Sequence, residues 1–236
     1  MKFFRLSGNM LKIIAAICMA VDHIGLIIFP ENMLFRIIGR ISFPIFAFLI
    51  AEGFRYTKNR LKYFIIMMSL ALVYQIFYSA FDDPFCMNIF FTLSFAIMII
   101  SCIDRFAGAL LYKKEFKVTL LYAFLTILAI SSVYTANKYF LLDYGFWGCM
   151  LPAFAYVFPY GKNILCRALC LSLFTVGLYL LTKTVELPVQ ACGYLSVIFL
   201  ILYSGKRGIW NLKYFFYIFY PLHLAVIYTV GMYIKK

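Results

Sequence analysis

The stretch LKIIAAICMAVDHIG, residues 11–25, decides the fold class of this chain. It opens a run apolar enough to cross a lipid bilayer, yet Asp22 and His23 lie inside it. Ionisable side chains within a bilayer are costly, by roughly 2.5–3.5 kcal/mol for each charged group on insertion scales, and they mark functional paths. We therefore predict that this run is a transmembrane helix that carries part of a functional site.

Lys12 and His23 fall on one face of this predicted helix. They lie eleven positions apart in the sequence, which in an α-helix corresponds to about 16 Å along the axis and only about 20° around it. The helix therefore carries a cation near one membrane surface and an imidazole deeper in, past the middle of the span.

The composition extends the membrane assignment to the whole chain. Of the 236 residues, 65% are hydrophobic and only 13% are charged, whereas about a quarter of the residues of a soluble domain are charged. The formal net charge of +13 would suit a nucleic-acid partner, but the basic residues lie between apolar spans and not on one soluble face. We therefore predict no nucleic-acid binding and an all-α, polytopic transmembrane helix bundle that interacts with membrane lipids.

Nine transmembrane spans are predicted, because a membrane helix needs about 20 predominantly apolar residues. They are placed at residues 11–30, 34–54, 62–80, 87–104, 118–136, 140–158, 163–182, 188–204 and 213–234. The split between 118–136 and 140–158 and the short 188–204 span leave eight or ten spans open. No polar stretch is long enough for a separate soluble domain, so one domain is predicted over residues 1–236.

The distribution of basic residues predicts a cytoplasmic N-terminus. Most of the 22 lysines and arginines fall in alternate loops, which the positive-inside rule assigns to the cytoplasm. The opposite segments hold only Arg36, Lys138, Lys183, Lys235 and Lys236, and Arg40 falls within a span. A multi-pass protein of the cell (cytoplasmic) membrane is therefore predicted. A signal peptide is the competing interpretation of the N-terminus, but the first run is long and further spans follow it, so we expect it to be retained.

His23 and Asp22 are the first candidate catalytic residues. Imidazole titrates near neutral pH, so His23 is a candidate general base; the alternative is a neutral histidine that bonds a neighbouring helix. Adjacent residues on a helix point about 100° apart, so Asp22 is poorly placed to bond His23 directly. We predict that Asp22 pairs across helices with Arg36 or Arg40.

Three further polar residues lie at membrane depth. His223 follows Pro221 in the last span, and it is either a second histidine lining a cavity or a packing group bonded to a carbonyl that the proline leaves without a donor. Asn88 and Asp143 lie near the outer ends of their spans. The predicted orientation thus places candidate site residues in the outward half of the bundle. Two histidines far apart in sequence make a weak case for a metal, and none is expected.

A basic cluster closes the second span on the inner side. It comprises Arg55, Lys58 and Arg60, with Lys62 following. Such clusters usually set topology and attract anionic lipid. The rarer possibility is a phosphate-binding mouth for a nucleotide-like donor, since arginine suits phosphate geometry.

Several stretches together resemble one family. They are LKIIAAICMAVDHIG (11–25), RIIGRISFPIFAFLIAEG (36–53), NIFFTLSFAIMII (88–100), DYGFWG (143–148) and YFFYIFYPLHL (214–224). The chain resembles the TraX family, membrane proteins linked to N-terminal acetylation of conjugative pilin, and through it the wider integral-membrane acyltransferases. In the wider group a basic residue, ten intervening residues and a histidine open the first helix, and Lys12 and His23 match that spacing.

The resemblance implies an enzyme that takes acetyl-CoA from the cytoplasm and transfers its acyl group to an acceptor from the other side. His23, with Asp22, would then be catalytic, and Lys12 with the basic cluster of the second span would bind the donor's phosphates. Arg40 or Asn88 would stabilise the attacked carbonyl. Arg36, Asp143 and His223 complete the expected substrate site. The acceptor would be a secreted or periplasmic amine or hydroxyl, such as a peptide N-terminus or a pilin, although no residue here identifies it.

Two other functions stay open on the sequence. Buried His, Asp and Arg also serve proton-coupled transport of small molecules, but no inverted repeat or pair of matching broken helices is visible. A non-catalytic partner in assembly or export is the third alternative.

Overall fold

The computed structural model describes residues 5–79, 86–184, 188–209 and 212–234. Over these residues the predicted all-α architecture is confirmed, since helices make up nearly all of the regular structure. Lys2, Lys235 and Lys236, which entered the predicted orientation, lie outside the described residues, as does residue 80 of the predicted span 62–80.

The chain is a succession of apolar helices with two very short strands. The helices are α1 (Gly8–Ile27), α2 (Met33–Gly39), α3 (Ser42–Tyr56), α4 (Arg60–Tyr78), α5 (Ile89–Leu111), α6 (Phe116–Tyr139), α7 (Gly145–Tyr156), α8 (Ile164–Thr184), a 3-10 helix (Pro188–Leu195), α9 (Ser196–Ile201) and α10 (Lys213–Ile234). The strands β1 (Cys86–Met87) and β2 (Leu141–Leu142) pair in parallel.

Within the described residues, five helical segments are long and apolar enough to cross a membrane, as expected of a multi-pass membrane protein. They are Gly8–Ile27, Met33–Tyr56 (α2 and α3 with the turn between them), Ile89–Leu111, Phe116–Tyr139 and Ile164–Thr184. The number of spans and the orientation stay predictions.

Three predicted spans differ from the observed helices. The span 34–54 is interrupted between α2 and α3, because Pro44 has no N–H to donate to the carbonyl of Arg40 and instead sits in the first turn of α3. The span 140–158 is helical only from Gly145, since Tyr144 and Gly145 both have positive φ, of 61° and 62°. The span 188–204 is a 3-10 helix followed by the short α9.

The chain divides into two compact units, Met1–Leu49 with Phe158–Lys236 and, separately, Ile50–Val157. We call them the terminal unit and the central unit. The prediction of one acyltransferase-like domain over residues 1–236 stays a prediction.

In the terminal unit, two glycines allow α1 and α2 to pack closely. A Cβ atom on Gly25 would lie 2.3 Å from the Cβ of Phe35, and one on Gly39 would lie 2.1 Å from the Oδ1 of Asp22. Side chains cannot occupy such distances, so these two glycines fix how near the helices approach. The glycines of the DHIG and GR sequences thus have a packing role.

Helices α1 and α10 of the terminal unit lie side by side and run in the same direction. Lys12 lies over the ring of Phe216, His23 contacts His223, and Ile27 lies against Gly231. The contacts advance together along both helices. If both helices cross the membrane, a shared direction requires an odd number of crossings, as in the predicted nine.

The rest of the terminal unit is held by aromatic packing and by a short backbone ladder. Phe48 meets the rings of Tyr160, Phe174 and Tyr203 edge to face, with centroids 5.3–5.9 Å apart. Leu6 exchanges backbone hydrogen bonds with the segment 202–204, which anchors the start of α1. This anchoring fixes the helix on which Lys12 and His23 lie.

The close approach at Gly25 predicts a specific sensitivity. Gly25→Ala should lower the free energy of unfolding by about 1–3 kcal/mol, because overpacking forces the backbone of α1 away from α2. Gly108→Ala is the matched control, since a Cβ there meets nothing within 4 Å and alanine favours a helix. Thermal unfolding of both purified variants in one detergent would measure the difference. Equal midpoints would contradict the packing role of Gly25.

Candidate active site

His23 and His223 lie in direct contact, although 200 residues separate them in the sequence. The Nε2 of His223 is 3.1 Å from the Nδ1 of His23, and the ring centroids are 5.1 Å apart at an angle of 48°. His23 comes from α1 and His223 from α10, so the parallel packing of these helices creates the pair. We call it the histidine pair.

His223 is tightly held. It is 8% exposed, and its Nδ1 is 2.8 Å from the carbonyl oxygen of Phe219. Its ring stacks on that of Phe219, with centroids 5.0 Å apart at 7°, and meets the edge of Tyr220. Of the two alternatives raised for His223, the structure shows a bond to a carbonyl and a contact with a second histidine, whereas the lining of a cavity stays a prediction. The carbonyl is that of Phe219, one turn earlier, and not that of Tyr217, which Pro221 leaves without its helical donor.

Asp22 pairs with both arginines that the sequence offered. Its Oδ2 accepts a hydrogen bond of 2.8 Å from the Nη1 of Arg36, and the Nη2 of Arg40 lies 3.4 Å from both carboxylate oxygens. The side chains are 14%, 23% and 11% exposed, respectively. The predicted pairing across helices is thus confirmed, and the carboxylate bonds to arginine and not to His23 within the described part of the chain. A catalytic role of Asp22 stays a prediction.

Gln190 extends this charged cluster and was missed in the sequence. Its Oε1 accepts a hydrogen bond of 3.1 Å from the Nη1 of Arg40, and the side chain is buried. The available signal was an amide residue inside the otherwise apolar segment 188–204. The Nε of Arg40 is buried and has no hydrogen-bond partner in the regions that the structure describes.

Lys12 shares the continuous helix α1 with His23. The helical spacing of about 16 Å between them, inferred from the sequence, therefore holds. Lys12 lies with its Nζ 5.9 Å from the centroid of the Phe216 ring.

The other three basic residues proposed to bind the donor belong to the central unit. Arg55 donates a 2.5 Å hydrogen bond to the carbonyl of Tyr156 and lies over that residue's ring. Arg60 pairs with Asp104, which also accepts a hydrogen bond from the Tyr156 hydroxyl. Lys58 is exposed. Arg55 and Arg60 thus contribute to the packing of the central unit, and donor binding by these three residues stays a prediction.

Asn88 and Asp143 also lie in the central unit, where both take part in its architecture. Asn88 accepts a hydrogen bond from the first turn of α5 and donates from its Nδ2 to the carbonyl of Ala71 and to Gln75. The backbone carbonyl of Asp143 accepts from the hydroxyl of Thr92. The structure gives both residues a structural role, and a role in substrate or oxyanion binding stays a prediction.

No group of three or more His, Cys, Asp or Glu side chains suited to a metal ion occurs in residues 5–79, 86–184, 188–209 and 212–234.

The geometry at Asp22 predicts energetic coupling between Asp22 and Arg36. Asp22→Asn and Arg36→Gln should each destabilise the protein, and the double variant should lose less than the sum, with a coupling of about 0.5–3 kcal/mol. A buried charge without its partner is the costly state, and the double variant removes both. Denaturant unfolding in mild detergent measures the cycle. The control pairs Asp22→Asn with Lys12→Gln, at a distant position of the same helix, and should be additive. Additivity in the Asp22–Arg36 cycle would contradict the ion pair.

Comparison with known proteins places the chain in a family. A probable fimbrial assembly protein FimC of Dichelobacter nodosus is 27% identical over an alignment that covers 97% of each chain. An uncharacterised protein of Rickettsia prowazekii is 38% identical over 73 residues, which cover 31% of this chain and 29% of that protein. No solved structure matches. The family model described as TraX protein matches residues 7–231, and the chain therefore belongs to the TraX family.

Proposed function

We propose that this protein is a membrane-embedded acyltransferase of the cell membrane. It takes an acetyl group from acetyl-CoA on the cytoplasmic side and transfers it to an amine or hydroxyl presented from the other side. The observation that carries the proposal is the histidine pair, two imidazoles 3.1 Å apart on apolar helices. Such groups within a membrane-spanning segment mark function.

The proposed class of acceptor is inferred from the relatives of this chain. The chain belongs to the TraX family, and the Dichelobacter nodosus relative is named as a probable fimbrial assembly protein. A secreted peptide or pilin with a free N-terminus is therefore the acceptor that we propose to test first.

His23 acts as the general base in this proposal. The acceptor amine attacks the thioester carbonyl, and a new C–N bond forms while a proton passes from the amine to the imidazole of His23. The C–S bond then breaks, and the proton passes from His23 to the leaving sulfur, which yields the acetylated acceptor and free CoA thiol. A positioned base of this kind typically contributes 10²–10⁴-fold to the rate.

Arg40 is the proposed oxyanion donor of the terminal unit. It lies at the junction of α2 and α3, where it is anchored by Asp22 and Gln190. Its buried Nε has no partner in the described residues, so an N–H donor remains for negative charge on the attacked carbonyl. Arg36 shares the Asp22 carboxylate and is proposed to position Arg40.

Lys12 is proposed to hold the phosphates of the donor. It shares a continuous helix with His23, so a donor bound near Lys12 needs an arm of about 16 Å to bring its acyl group to the imidazole.

Replacement of His23 tests the proposal. With labelled acetyl-CoA and a short peptide bearing a free α-amine, His23→Ala should lower label transfer and CoA release by at least about 100-fold, since the base is lost. The purified full chain in liposomes is the sample. Lys183→Gln, at a residue whose ammonium lies over the ring of Tyr179, is the control and should retain the wild-type rate.

Two results would count against the enzyme. Undiminished transfer or CoA release by a folded His23→Ala protein would remove His23 from the reaction. Uptake of a small solute into liposomes, driven by a proton gradient and independent of acetyl-CoA, would favour the transporter alternative.

A further inference from the structure

We propose that His223 is a positioning residue that sets the tautomer of His23, so that Nδ1 of His23 carries the proton and Nε2 is the basic nitrogen. The catalytic consequence of this arrangement rests on the proposed acyltransferase function, whereas the tautomer itself rests only on the contacts of the two rings.

The backbone of α10 fixes the tautomer of His223. The carbonyl oxygen of Phe219 is only an acceptor, so the 2.8 Å contact with Nδ1 of His223 requires a proton on that nitrogen. A neutral imidazole carries one proton, and Nε2 of His223 is then an acceptor. The ring is 8% exposed and packed between Phe219 and Tyr220, surroundings in which a charged imidazole is costly.

The tautomer of His223 in turn fixes that of His23. Since Nε2 of His223 is an acceptor, the 3.1 Å contact requires that Nδ1 of His23 is the donor. The single proton of neutral His23 therefore lies on Nδ1. Its Nε2 keeps a lone pair, which is what a general base requires.

This arrangement matters because free histidine favours the opposite tautomer, with the proton on Nε2. Without His223, His23 would present mainly an N–H group through Nε2. The partner of the second ring nitrogen also orients the ring and stabilises the imidazolium that forms when a proton is accepted. His223 would do this as a neutral acceptor fixed by the Phe219 carbonyl, so the pair carries a single positive charge during the reaction.

The position of Pro221 fits this role. It lies between Phe219 and His223 in α10, and its missing N–H removes one helical donor from this turn. The carbonyl of Phe219 nevertheless retains its place one turn before His223, where it accepts from the ring. The FYPLH sequence thus combines a locally altered helix with a fixed acceptor for His223.

The tautomer is directly measurable, because the chain contains only two histidines. Full-length protein labelled with ¹⁵N-histidine and purified through a tag without histidine gives two pairs of ring signals by NMR in lipid bilayers. At a pH where both rings are neutral, we expect a protonated Nδ1 and a bare Nε2 in both residues. A proton on Nε2 of His23 in the wild-type protein would overturn the proposal.

Variants at position 223 separate positioning from packing. The amide oxygen of His223→Gln can replace Nε2 as acceptor, so this variant should keep the His23 tautomer and much of the activity. His223→Phe removes the acceptor, so the His23 proton should move to Nε2, and the transfer rate should fall by about 10–100-fold, the usual effect of losing such a supporting partner. The KM for acetyl-CoA should change little. Leu222→Phe, at a 58% exposed neighbouring position, is the control.

The outcomes distinguish this inference from the proposed function. A His223→Phe protein with the altered tautomer but wild-type transfer would overturn the catalytic role of His223 and leave the acyltransferase standing. A wild-type protein with the expected tautomer but no transfer to any acceptor would count against the acyltransferase alone. If His223→Phe does not fold, the wild-type spectrum and the comparison of His223→Gln with the wild type still decide the tautomer.

Discussion

The contact between the imidazoles of His23 and His223 is the interaction on which the account of this protein depends. It joins the first and the last helix of the described chain at a separation of 3.1 Å. It forms because α1 and α10 run in the same direction and because α1 is anchored at its start by the backbone ladder with residues 202–204. A polar contact between two apolar helices is specific, since each ring loses its partner if either helix slides or rotates.

Glycine at two positions gives this site its compactness. Gly25, two residues after His23, has no side chain and leaves room for Phe35. Gly39 likewise leaves room for the side chain of Asp22. The carboxylate can then reach Arg36 and Arg40, which carry charge that a lipid-spanning segment would otherwise tolerate poorly. The histidine on one side of α1 and the ion-paired aspartate beside it thus have separate partners, as expected for adjacent residues about 100° apart on a helix.

The sequence was informative where the relevant physics is local. Helical periodicity predicted that Lys12 and His23 share one helix and that Asp22 pairs with arginines of a neighbouring segment. The structure has both features. Pro44 indicated that the span 34–54 is interrupted, but the span was predicted from apolarity alone and the interruption was missed.

The contact with His223 was not predictable from periodicity, because it depends on which helices are neighbours in the folded chain. Gln190 was missed for the same reason. In the central unit, Asn88 was a candidate because it is polar at membrane depth, and Arg60 because it belongs to a basic cluster. Their contacts show that such residues also serve as helix caps and in ion pairs.

The chain belongs to the TraX family, has long apolar helices and is related to a probable fimbrial assembly protein. The histidine pair is its candidate chemical centre. The most direct test of that centre is a scalar coupling across the hydrogen bond between Nδ1 of His23 and Nε2 of His223, measured on ¹⁵N-histidine-labelled protein in bilayers. A resolved nitrogen–nitrogen coupling between the two residues is the expected result. Two rings that show no coupling and titrate independently of each other would contradict the pair and, with it, the account of the site.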